Sequence, residues 1–290
     1  MSYETRGDLP LDYNPVVYPG SVLRFRGPEH DLARAYVLCL GGSETFGRFI
    51  HAPYAAQLDA ALPVNVVNMG VMNAGLDVIT RDGAISGAAA GAQAIVLQIT
   101  GAQNMTNRFY AVHPRRNDRF IKATSMLRTI YRDVDFTEFH FTRHLLTHLQ
   151  ARSRDRFAIV TTELQTAWTA RMTAFLRRAE VPVHLLWLSR RSPGAAAPRH
   201  GLGADPLFVT AEMLEEVAAH AASLSVAVPA QPAPDRRPDT RGMFYAARER
   251  AAARAMPGPD AHDLATARLK ALLAKDMPRA MATGPARGEE

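Results

Sequence analysis

Three largely apolar segments recur at intervals of about 30 residues in the first part of the chain, and the first of them has no polar alternation. They cover residues 36–40, 64–68 and 94–100. An apolar run without alternation is typical of a strand that is buried on both faces of a sheet. The interval leaves room for one crossover helix between strands, so these segments predict right-handed β-α-β units and a parallel sheet.

The later pattern continues this alternation. We predict further strands over residues 157–162 and 183–189. Helices are expected over 53–62, 77–90, 165–179, 211–224, 243–256 and 260–275, with another helix from Phe136 and a helix start near Phe49 after the first strand. The expected fold class is therefore α/β: a three-layer α/β/α sandwich around a five-stranded, mostly parallel sheet, with a C-terminal helical extension.

Changes in composition divide the chain into three predicted parts. Residues 1–32 form a leader with closely spaced turn residues, packed on the sheet and supplying a short strand over residues 22–25. Residues 33–228 form the α/β domain with a lid insertion over 101–136, because that polar and aromatic segment is too long for a simple loop. Residues 229–290 combine a proline-rich linker with a basic helical tail, which we expect to dock on the domain or on a second subunit.

Charge and cysteine content narrow the class of protein. The formal net charge is +6 and the pI about 9.8. The basic residues are spread along the chain and are not interleaved with aromatic residues as in RNA-binding sheets, so nucleic acid is not the expected partner.

Cys39 is the single cysteine. The N-terminus has no signal-peptide pattern and no apolar run is long enough to span a bilayer, so we predict a cytoplasmic location. No cofactor or metal is expected, since no Cys/His spacing typical of zinc sites occurs.

Small polar residues follow each of the first three strands. Ser43 follows Gly41-Gly42, Asn73 comes shortly after Gly70, and Asn104 closes the sequence Gly-Ala-Gln-Asn. Because parallel strands place ligands at their carboxyl ends, we expect these residues to lie close together. Ser43 is either a nucleophile on a strand-to-helix turn or the N-cap of the following helix.

The segments GGSETFG, NMGVMNAG and GAQN, which begin at residues 41, 68 and 101, resemble the conserved blocks of the SGNH (GDSL-like) hydrolase superfamily. The resemblance covers roughly residues 33–110 with a tail block near 205, and GAQN is one residue longer than the family's Gly-x-Asn. It implies a sheet order of 2-1-3-4-5. It also implies Ser43 as nucleophile, with the Gly70 amide and the Asn104 side chain in the oxyanion hole. The whole chain also resembles an uncharacterised bacterial domain family.

The tail block departs from this superfamily at one position. SGNH hydrolases carry Asp-x-x-His there, and Asp205 matches the aspartate, but Phe208 stands in place of the histidine. A serine hydroxyl needs an adjacent base to become a strong nucleophile. His200 and His113 are the candidates to replace that base. Without a base, the pocket binds its ligand and does not cleave it.

The lid insertion contributes candidate substrate-binding residues. Asn107, Arg108, Arg115 and Arg116 are crowded after the third strand, where arginines can grip a carboxylate, phosphate or sulfate. The alternative is a solvated loop with structural arginines. Beside Ser43, we expect Glu44 to orient the loop or cap the helix, and we include it with Asn73 among the residues that line the substrate pocket.

Two functions of different classes follow. The first is an SGNH-like esterase or acyltransferase that acts on a small or carbohydrate-linked ester. The second is a non-catalytic pocket of the same architecture that binds an anionic, phosphorylated or sulfated ligand, in surface polysaccharide metabolism for example. The expected partner is a small molecule or glycan in both cases, and the basic tail helices leave a homo-oligomer open.

Overall fold

The computed structural model describes residues 11–196, 198, 201–230 and 238–276. A parallel sheet of five strands forms its centre, and a separate two-stranded hairpin lies beside it. The strands in chain order are β1 (Tyr36–Gly41), β2 (Asn65–Gly70), β3 (Ala94–Gln98), β4 (Tyr110–His113), β5 (Arg116–Ala123), β6 (Val183–Leu188) and β7 (Ser223–Ala227).

Helices surround the sheet on both faces. They are α1 (Ser43–Phe46), α2 (Tyr54–Ala61), α3 (Leu76–Arg81), α4 (Gly83–Gly91), α5 (Ser125–Ile130), α6 (Thr142–Arg152), α7 (Arg154–Arg178), α8 (Ala211–Ala218), α9 (Arg250–Ala255) and α10 (Pro259–Asp276), with short 3-10 turns at Phe136–Glu138 and Ala247–Glu249. The arrangement is the predicted three-layer α/β/α fold. In the part of the chain that the structure describes, no helix combines the length and apolar character that a bilayer crossing requires.

The central sheet has the order β2-β1-β3-β6-β7, and each neighbouring pair is parallel. This confirms the predicted 2-1-3-4-5 order. Gly41 at the end of β1 lies opposite Gly70 at the end of β2, and Leu40 lies opposite Leu97 of β3. The carboxyl ends of the three central strands therefore reach the same edge of the sheet, where the segments that follow them meet.

Side chains along β1 alternate between the two layers, as the two-residue period of a strand requires. Leu38 and Leu40 enter the larger core beneath α3, α4 and α7, whereas Val37 and Cys39 enter the core beneath α2 and α10. Both sets are buried, which explains the absence of polar alternation in the sequence. Burial also raises the pKa of the Cys39 thiol to about 12, so this cysteine is inert at neutral pH.

The strand predicted over residues 157–162 is wrong. This segment lies inside α7, a helix of 25 residues that Ser153 caps by accepting a hydrogen bond from the Arg156 N–H. The buried residues of α7 recur at helical spacing: Phe157, Val160, Leu164, Trp168, Met172 and Leu176. Ile159, in the middle of the β-branched run, is 53% exposed. The helical period of the whole segment outweighs the local β propensity of Phe-Ala-Ile-Val-Thr-Thr.

The end of the sheet also differs from the prediction. The segment predicted as the fifth strand is β6, fourth in the sheet, and the fifth position belongs to β7. Its residues 223–224 were predicted as the end of a helix that begins at Ala211, but α8 already ends at Ala218. β7 is an edge strand of five residues with only two of them buried, so its apolar signal is weak.

Three helix boundaries in the structure also differ from the predicted ones. The helix predicted over residues 77–90 is split into α3 and α4, because the Asp82 carboxylate accepts hydrogen bonds from the N–H groups of Ala84 and Ile85 and starts a new helix. The helix after the first strand begins at Ser43, not near Phe49, which has a left-handed φ of 69°. The helix predicted from Phe136 begins at Thr142.

The leader supports the loop that follows α1. Arg26 is buried, and its guanidinium donates to the carbonyls of Gly47 at 2.8 Å, Ile50 at 2.9 Å and His51 at 2.7 Å. Burial lowers the pKa of Arg26, and the carbonyl acceptors satisfy its donors. The predicted strand over residues 22–25 is reduced to one antiparallel bridge between Val16 and Phe25.

The last described helix completes the second face of the sheet. Ala261, Ala265, Leu269 and Leu273 of α10 are buried against the side of the sheet that carries Val37 and Cys39. At its far end, Asp276 lies 2.6 Å from Nε2 of the buried His184 in β6, whose Nδ1 lies 2.8 Å from Ser223 Oγ in β7. The helix predicted over residues 260–275 therefore forms a layer of the domain itself.

Candidate active site

The turn between β1 and α1 depends on glycine. A Cβ on Gly41 would lie 2.2 Å from Thr45 Oγ1 and 2.4 Å from Gln98 Oε1, so a larger residue would displace both. Gly42 is the N-cap, and Ser43 is the first residue of a helix of a single turn. The sharp turn leaves Ser43 partly exposed at the edge of the sheet, while the flanking residues 41 and 42 are buried.

The Ser43 hydroxyl is held by Asn73. The Asn73 backbone N–H donates to Ser43 Oγ at 2.9 Å, and Ser43 Oγ donates to Asn73 Oδ1 at 3.3 Å. Asn73 has a left-handed φ of 59°, a conformation that asparagine tolerates better than most residues. The conformation of the loop after β2 therefore fixes the orientation of the candidate nucleophile.

Gln98, at the end of β3, connects the turn to its neighbours. Its side chain is 2% exposed, and Oε1 accepts hydrogen bonds from the Gly42 N–H at 2.7 Å and from Thr45 Oγ1 at 3.0 Å. Its Nε2 donates to Glu44 Oε2 at 3.1 Å and to the Ile99 carbonyl at 3.2 Å. Every polar atom of this buried amide is thus used, so Gln98 positions the residues on both sides of Ser43.

Asn104 presents one side of its amide to the lid. Its Oδ1 accepts a hydrogen bond from Thr142 Oγ1 at 2.7 Å, at the start of α6. In this orientation Nδ2 has no hydrogen-bond acceptor among the described residues and is a free donor. Close packing against the loop after β2 fixes the backbone: a Cβ on Gly75 would lie 1.8 Å from the Asn104 carbonyl oxygen.

Asp205 enters the site from the segment after β6. Its Oδ1 accepts from Gln103 Nε2 at 2.9 Å and its Oδ2 from Arg143 Nη2 at 2.9 Å. Ser189 Oγ donates to the Asp205 carbonyl at 2.7 Å, which ties this segment to the end of β6. These contacts fix the position of the Asp205 carboxylate at the edge of the sheet.

These side chains surround one small cavity of about 80 Å³. Its lining includes Ser43, Glu44, Asn73, Gln98, Thr100, Gln103, Asn104 and Asp205. Among the described lining residues, the charged ones are Glu44 and Asp205, both acidic. The cavity is therefore polar and its own charged residues are acidic, although Arg143, just outside it, pairs with Asp205. This lining favours a neutral ligand over an anionic one.

Glu44 has a strongly altered acidity. Desolvation of its carboxyl, with a smaller contribution from the nearby charge of Asp205, raises the pKa to about 7. The hydrogen bond from Gln98 acts in the opposite direction but is weaker. Glu44 consequently exchanges a proton near neutral pH, whereas a carboxyl group in water does so near pH 4.5.

The structure brings Ser43, Glu44, Asn73, Asn104 and Asp205 together, but Gly70 does not line the cavity. The Gly70 N–H donates to Asn68 Oδ1 at 2.9 Å. A Cβ at this position would lie 2.3 Å from the Phe46 nitrogen. Glycine is required there so that α1 can pack on β2. The Asn73 N–H, three residues later, is the backbone donor that contacts Ser43 Oγ, at 2.9 Å.

Neither of the two histidines predicted as replacement bases is found at the cavity, for different reasons. His113 lies in the hairpin turn, where its Nδ1 accepts from the N–H groups of Arg115 and Arg116, and it does not line the cavity. His200 lies outside the described residues. Phe208 points elsewhere, with its ring 5.9 Å from that of Phe157. No histidine lines the cavity within the described part of the chain.

The remaining lid residues have structural contacts. Asn107 Oδ1 accepts from the N–H groups of Phe109 and Tyr110, and Arg108 pairs with Glu163 at 3.5 Å. Arg115 and Arg116 sit in the exposed turn of the β4–β5 hairpin. The structure does not bring Asn107, Arg108, Arg115 or Arg116 to the cavity.

Sequence reasoning missed several residues that build the site. Gln98 is the last residue of a buried strand, and a polar residue at that position was the available signal. Gln103 and Arg143 orient Asp205, and Thr142 orients Asn104. Thr142 and Arg143 come from α6, and nothing in the local sequence indicates which helix end faces the cavity.

The chain belongs to the family described as "Domain of unknown function (DUF6473)", whose model matches residues 1–277. No curated protein sequence matches the chain.

Three solved structures show distant similarity. A lipase from a goat rumen metagenome has 14% identity and a TM-score of 0.37, covering 82% of this chain and 96% of its own. A protein from Lactobacillus plantarum has 14% identity and a TM-score of 0.36, covering 84% and 99%. A gut microbial diltiazem-metabolizing enzyme has 13% identity and a TM-score of 0.31, covering 66% and 36%. Similarity at this level carries no inference about activity, so the function is argued from the cavity.

Proposed function

We propose that the protein is a serine-dependent ester hydrolase or acyltransferase of the SGNH-like kind, with Ser43 as the nucleophile. The observation that supports this most is the shared cavity of Ser43, Asn73 and Asn104, with the Ser43 hydroxyl bonded to Asn73. A hydroxyl and a free amide donor in one cavity are the minimum for attack on a carbonyl and for stabilisation of the oxyanion.

Glu44 is the proposed proton acceptor in place of the absent histidine. A general base works best when its pKa is close to the ambient pH, and the Glu44 pKa of about 7 meets this condition. Ser43 Oγ would form the bond to the acyl carbon while its proton passes to the Glu44 carboxylate. The protonated Glu44 would then return the proton to the departing alcohol oxygen as the ester bond breaks.

The second half of the reaction uses the same groups. Water, or the hydroxyl of an acceptor, would attack the Ser43 ester and lose its proton to Glu44. That proton would return to Ser43 Oγ as the acyl–serine bond breaks. Asn104 Nδ2 would donate to the carbonyl oxygen in both halves. Asp205, held in position by Gln103 and Arg143, would help to keep the Glu44 pKa raised.

The size and charge of the cavity support a class of substrate. A volume of about 80 Å³ suits a small acyl group such as acetyl. Glu44 and Asp205 disfavour phosphorylated and sulfated substrates, and hydroxyl-rich neutral groups match the amide and carboxyl lining. We therefore propose an acetylated polyol or carbohydrate as the substrate.

The test is active-site labelling with a fluorophosphonate probe, together with hydrolysis of p-nitrophenyl acetate. We expect one label per chain in the wild type, none in Ser43→Ala, and full labelling in the control Ser125→Ala, which removes an exposed serine on α5. Wild-type protein that is folded yet neither labelled nor hydrolytic contradicts the proposal.

A non-catalytic pocket is the second candidate, and one observation favours it: no histidine lines the cavity within the described residues. In that case the ligand would be neutral or cationic, because the lining is acidic. Thermal-shift measurements with neutral sugars and with phosphorylated sugars distinguish the charge classes. Stabilisation by neutral sugars without any labelling of Ser43 supports this candidate over the enzyme.

A further inference from the structure

A second and larger concavity lies on the face of the sheet that carries α3, α4 and α7. Its volume is about 460 Å³, and none of its lining residues belongs to the Ser43 cavity. Ligand sites in proteins commonly have volumes of about 300 to 1,000 Å³. We call it the arginine groove, after Arg81, Arg171 and Arg178, which line it.

The walls of the arginine groove combine apolar and polar residues. Ile79 of α3, Ile85 of α4 and Phe175 of α7 contribute large side chains, whereas Ala89 and Ala174 are small and leave the space between the helices open. Apolar walls of this kind stabilise a hydrocarbon chain by removing it from water, by about 0.8 kcal/mol for each buried CH₂ group.

The charges are concentrated around Asp77. This carboxylate is 2% exposed, and its Oδ1 lies 3.2 Å from Arg171 Nη1 and 3.8 Å from Arg81 Nη2. Both Asp77 Oδ1 and Arg171 Nη1 are buried without hydrogen-bond geometry to a partner. The two atoms face each other as an ion pair, so Asp77 and Arg171 neutralise one another in the wall of the groove.

The arginines exceed the acids. Arg81 and Arg171 flank Asp77, and Glu180 is the other acidic residue in the lining. Arg178 is exposed, with no hydrogen bond or ion pair to the described residues, although it sits one helical turn from Phe175. The groove therefore combines an apolar floor with a net positive rim, which is complementary to a molecule with an apolar body and one negative group.

We propose that the arginine groove binds a medium-chain fatty carboxylate. The alkyl chain would lie against Phe175, Ala89 and Ala174, and the carboxylate would accept hydrogen bonds from Arg178. Guanidinium groups suit this role because they hold a carboxylate with two parallel donors. The proposal does not depend on the function of the Ser43 cavity.

Helix α3 gives the groove a route to that cavity. Asn73 and Ala74, which line the Ser43 cavity, precede α3, and Asp77 and Arg81 of α3 line the groove. Asp77 Oδ2 accepts from the Thr106 N–H at 2.8 Å, and Arg171 Nη2 donates to the Thr106 carbonyl. Thr106 is two residues from Asn104. A ligand in the groove would therefore contact residues that are linked to the loops after β2 and β3, which hold the candidate nucleophile and the amide donor.

Isothermal titration calorimetry with decanoate, below its micelle concentration, tests the proposal. We expect saturable binding of one decanoate per chain. Decanol and decyltrimethylammonium, which have the same alkyl chain without the negative charge, should bind at least 10-fold more weakly, as expected for loss of a charge-assisted hydrogen bond. Arg178→Ala should weaken decanoate binding about 5- to 10-fold. Ala174→Trp, which fills the groove, should abolish it.

Two control variants locate the site. Arg177→Ala removes a neighbouring exposed arginine of α7 that does not line the groove, and it should bind decanoate like the wild type. Ser43→Ala should also bind normally. Equal binding of all three amphiphiles overturns the proposal, as does unchanged binding by Arg178→Ala together with Ala174→Trp. Loss of binding in Ser43→Ala assigns decanoate to the other cavity and overturns it as well.

Discussion

The Asn73 backbone N–H donates to Ser43 Oγ at 2.9 Å, between residues 30 positions apart that follow adjacent strands. The bond exists because Gly41 and Gly70 are paired at the ends of β1 and β2. A shift of one residue in this register would move Asn73 away from the hydroxyl. The position of the candidate nucleophile is thus determined by the sheet, through the loops that follow its strands.

Asn73→Gly is expected to keep the backbone donor and the left-handed backbone while removing the Oδ1 acceptor. The hydroxyl then loses one of its two contacts, and the rate of p-nitrophenyl acetate hydrolysis should fall about 2- to 10-fold, as for loss of one ordinary hydrogen bond. Asn73→Ala should additionally destabilise the fold by about 1 to 2 kcal/mol, because alanine is strained at a φ of 59°. Equal stability of the two variants in urea denaturation would contradict this account.

Asn104→Asp tests the free amide donor. The aspartate retains an oxygen for Thr142 and replaces Nδ2 with a second oxygen, so turnover should fall by about 100- to 1,000-fold if Nδ2 stabilises the oxyanion. Thr142→Val is the control, since it removes the hydrogen bond from Thr142 to Asn104, which Asn104→Asp retains, and leaves Nδ2 in place. Steady-state kinetics should show a small change for Thr142→Val, and a comparable loss in both variants would assign Asn104 a structural role.

Glu44 should make the free energy of unfolding depend on pH. Its folded pKa of about 7 exceeds the ordinary value of 4.5, so ionisation opposes folding. The penalty is absent below pH 4.5, grows between pH 4.5 and 7, and is complete above that range, at up to about 3 kcal/mol. Glu44→Gln removes the penalty. Urea denaturation should therefore find the variant more stable than the wild type at pH 8 and nearly equal to it at pH 4.5, and a constant difference would exclude this role for Glu44.

Much of the framework is readable from the sequence. The segments that become β1, β2 and β3 are largely apolar and are each followed by glycine and a small polar residue. The spacing of these strands therefore predicts that Ser43, Asn73 and Asn104 meet at one edge of the sheet. The segment of six residues that begins at Phe157 is rich in β-branched residues, which wrongly predicts a strand. The helix becomes evident only from the spacing of buried residues as far as Leu176.

The parts of the site that could not be predicted come from long-range contacts. Whether Gly70 or Asn73 offers its N–H to Ser43 depends on how α1 packs on β2, and that packing leaves no local signature. The raised pKa of Glu44 depends on burial and on Asp205, which is distant in sequence. The arginines of the lid were predicted to bind substrate because they are close together in the sequence. Proximity in sequence does not determine whether their side chains point into the cavity.

Phe208→His should not restore a conventional catalytic base. The residue packs against Phe157, and its carbonyl accepts a hydrogen bond from Gln165 Nε2 at 3.0 Å, so the side chain faces away from the cavity. Histidine tolerates the left-handed φ of 65°, and the variant should fold. Its rate of p-nitrophenyl acetate hydrolysis should equal that of Phe208→Asn from pH 5 to 9. An added rate increase near the usual histidine pKa would show that position 208 does reach Ser43.

Leu269→Ala should reveal that α10 belongs to the core. Leu269 is fully buried against the sheet, and its truncation should lower the free energy of unfolding by about 2 to 5 kcal/mol. The neighbouring Lys270 is exposed, and Lys270→Ala should change stability by less than about 0.5 kcal/mol. Chemical denaturation measures both, and similar small effects would mean that α10 is an accessory to the domain.

The placement of α10 has a consequence for biosynthesis. Residues 259–276 are made after every strand of the sheet, yet they cover the side on which Val37, Cys39 and Leu186 lie. Until this helix has left the ribosome, one apolar face of the nascent sheet is exposed to solvent. A chain that stalls in the segment before α10 should therefore bind chaperones.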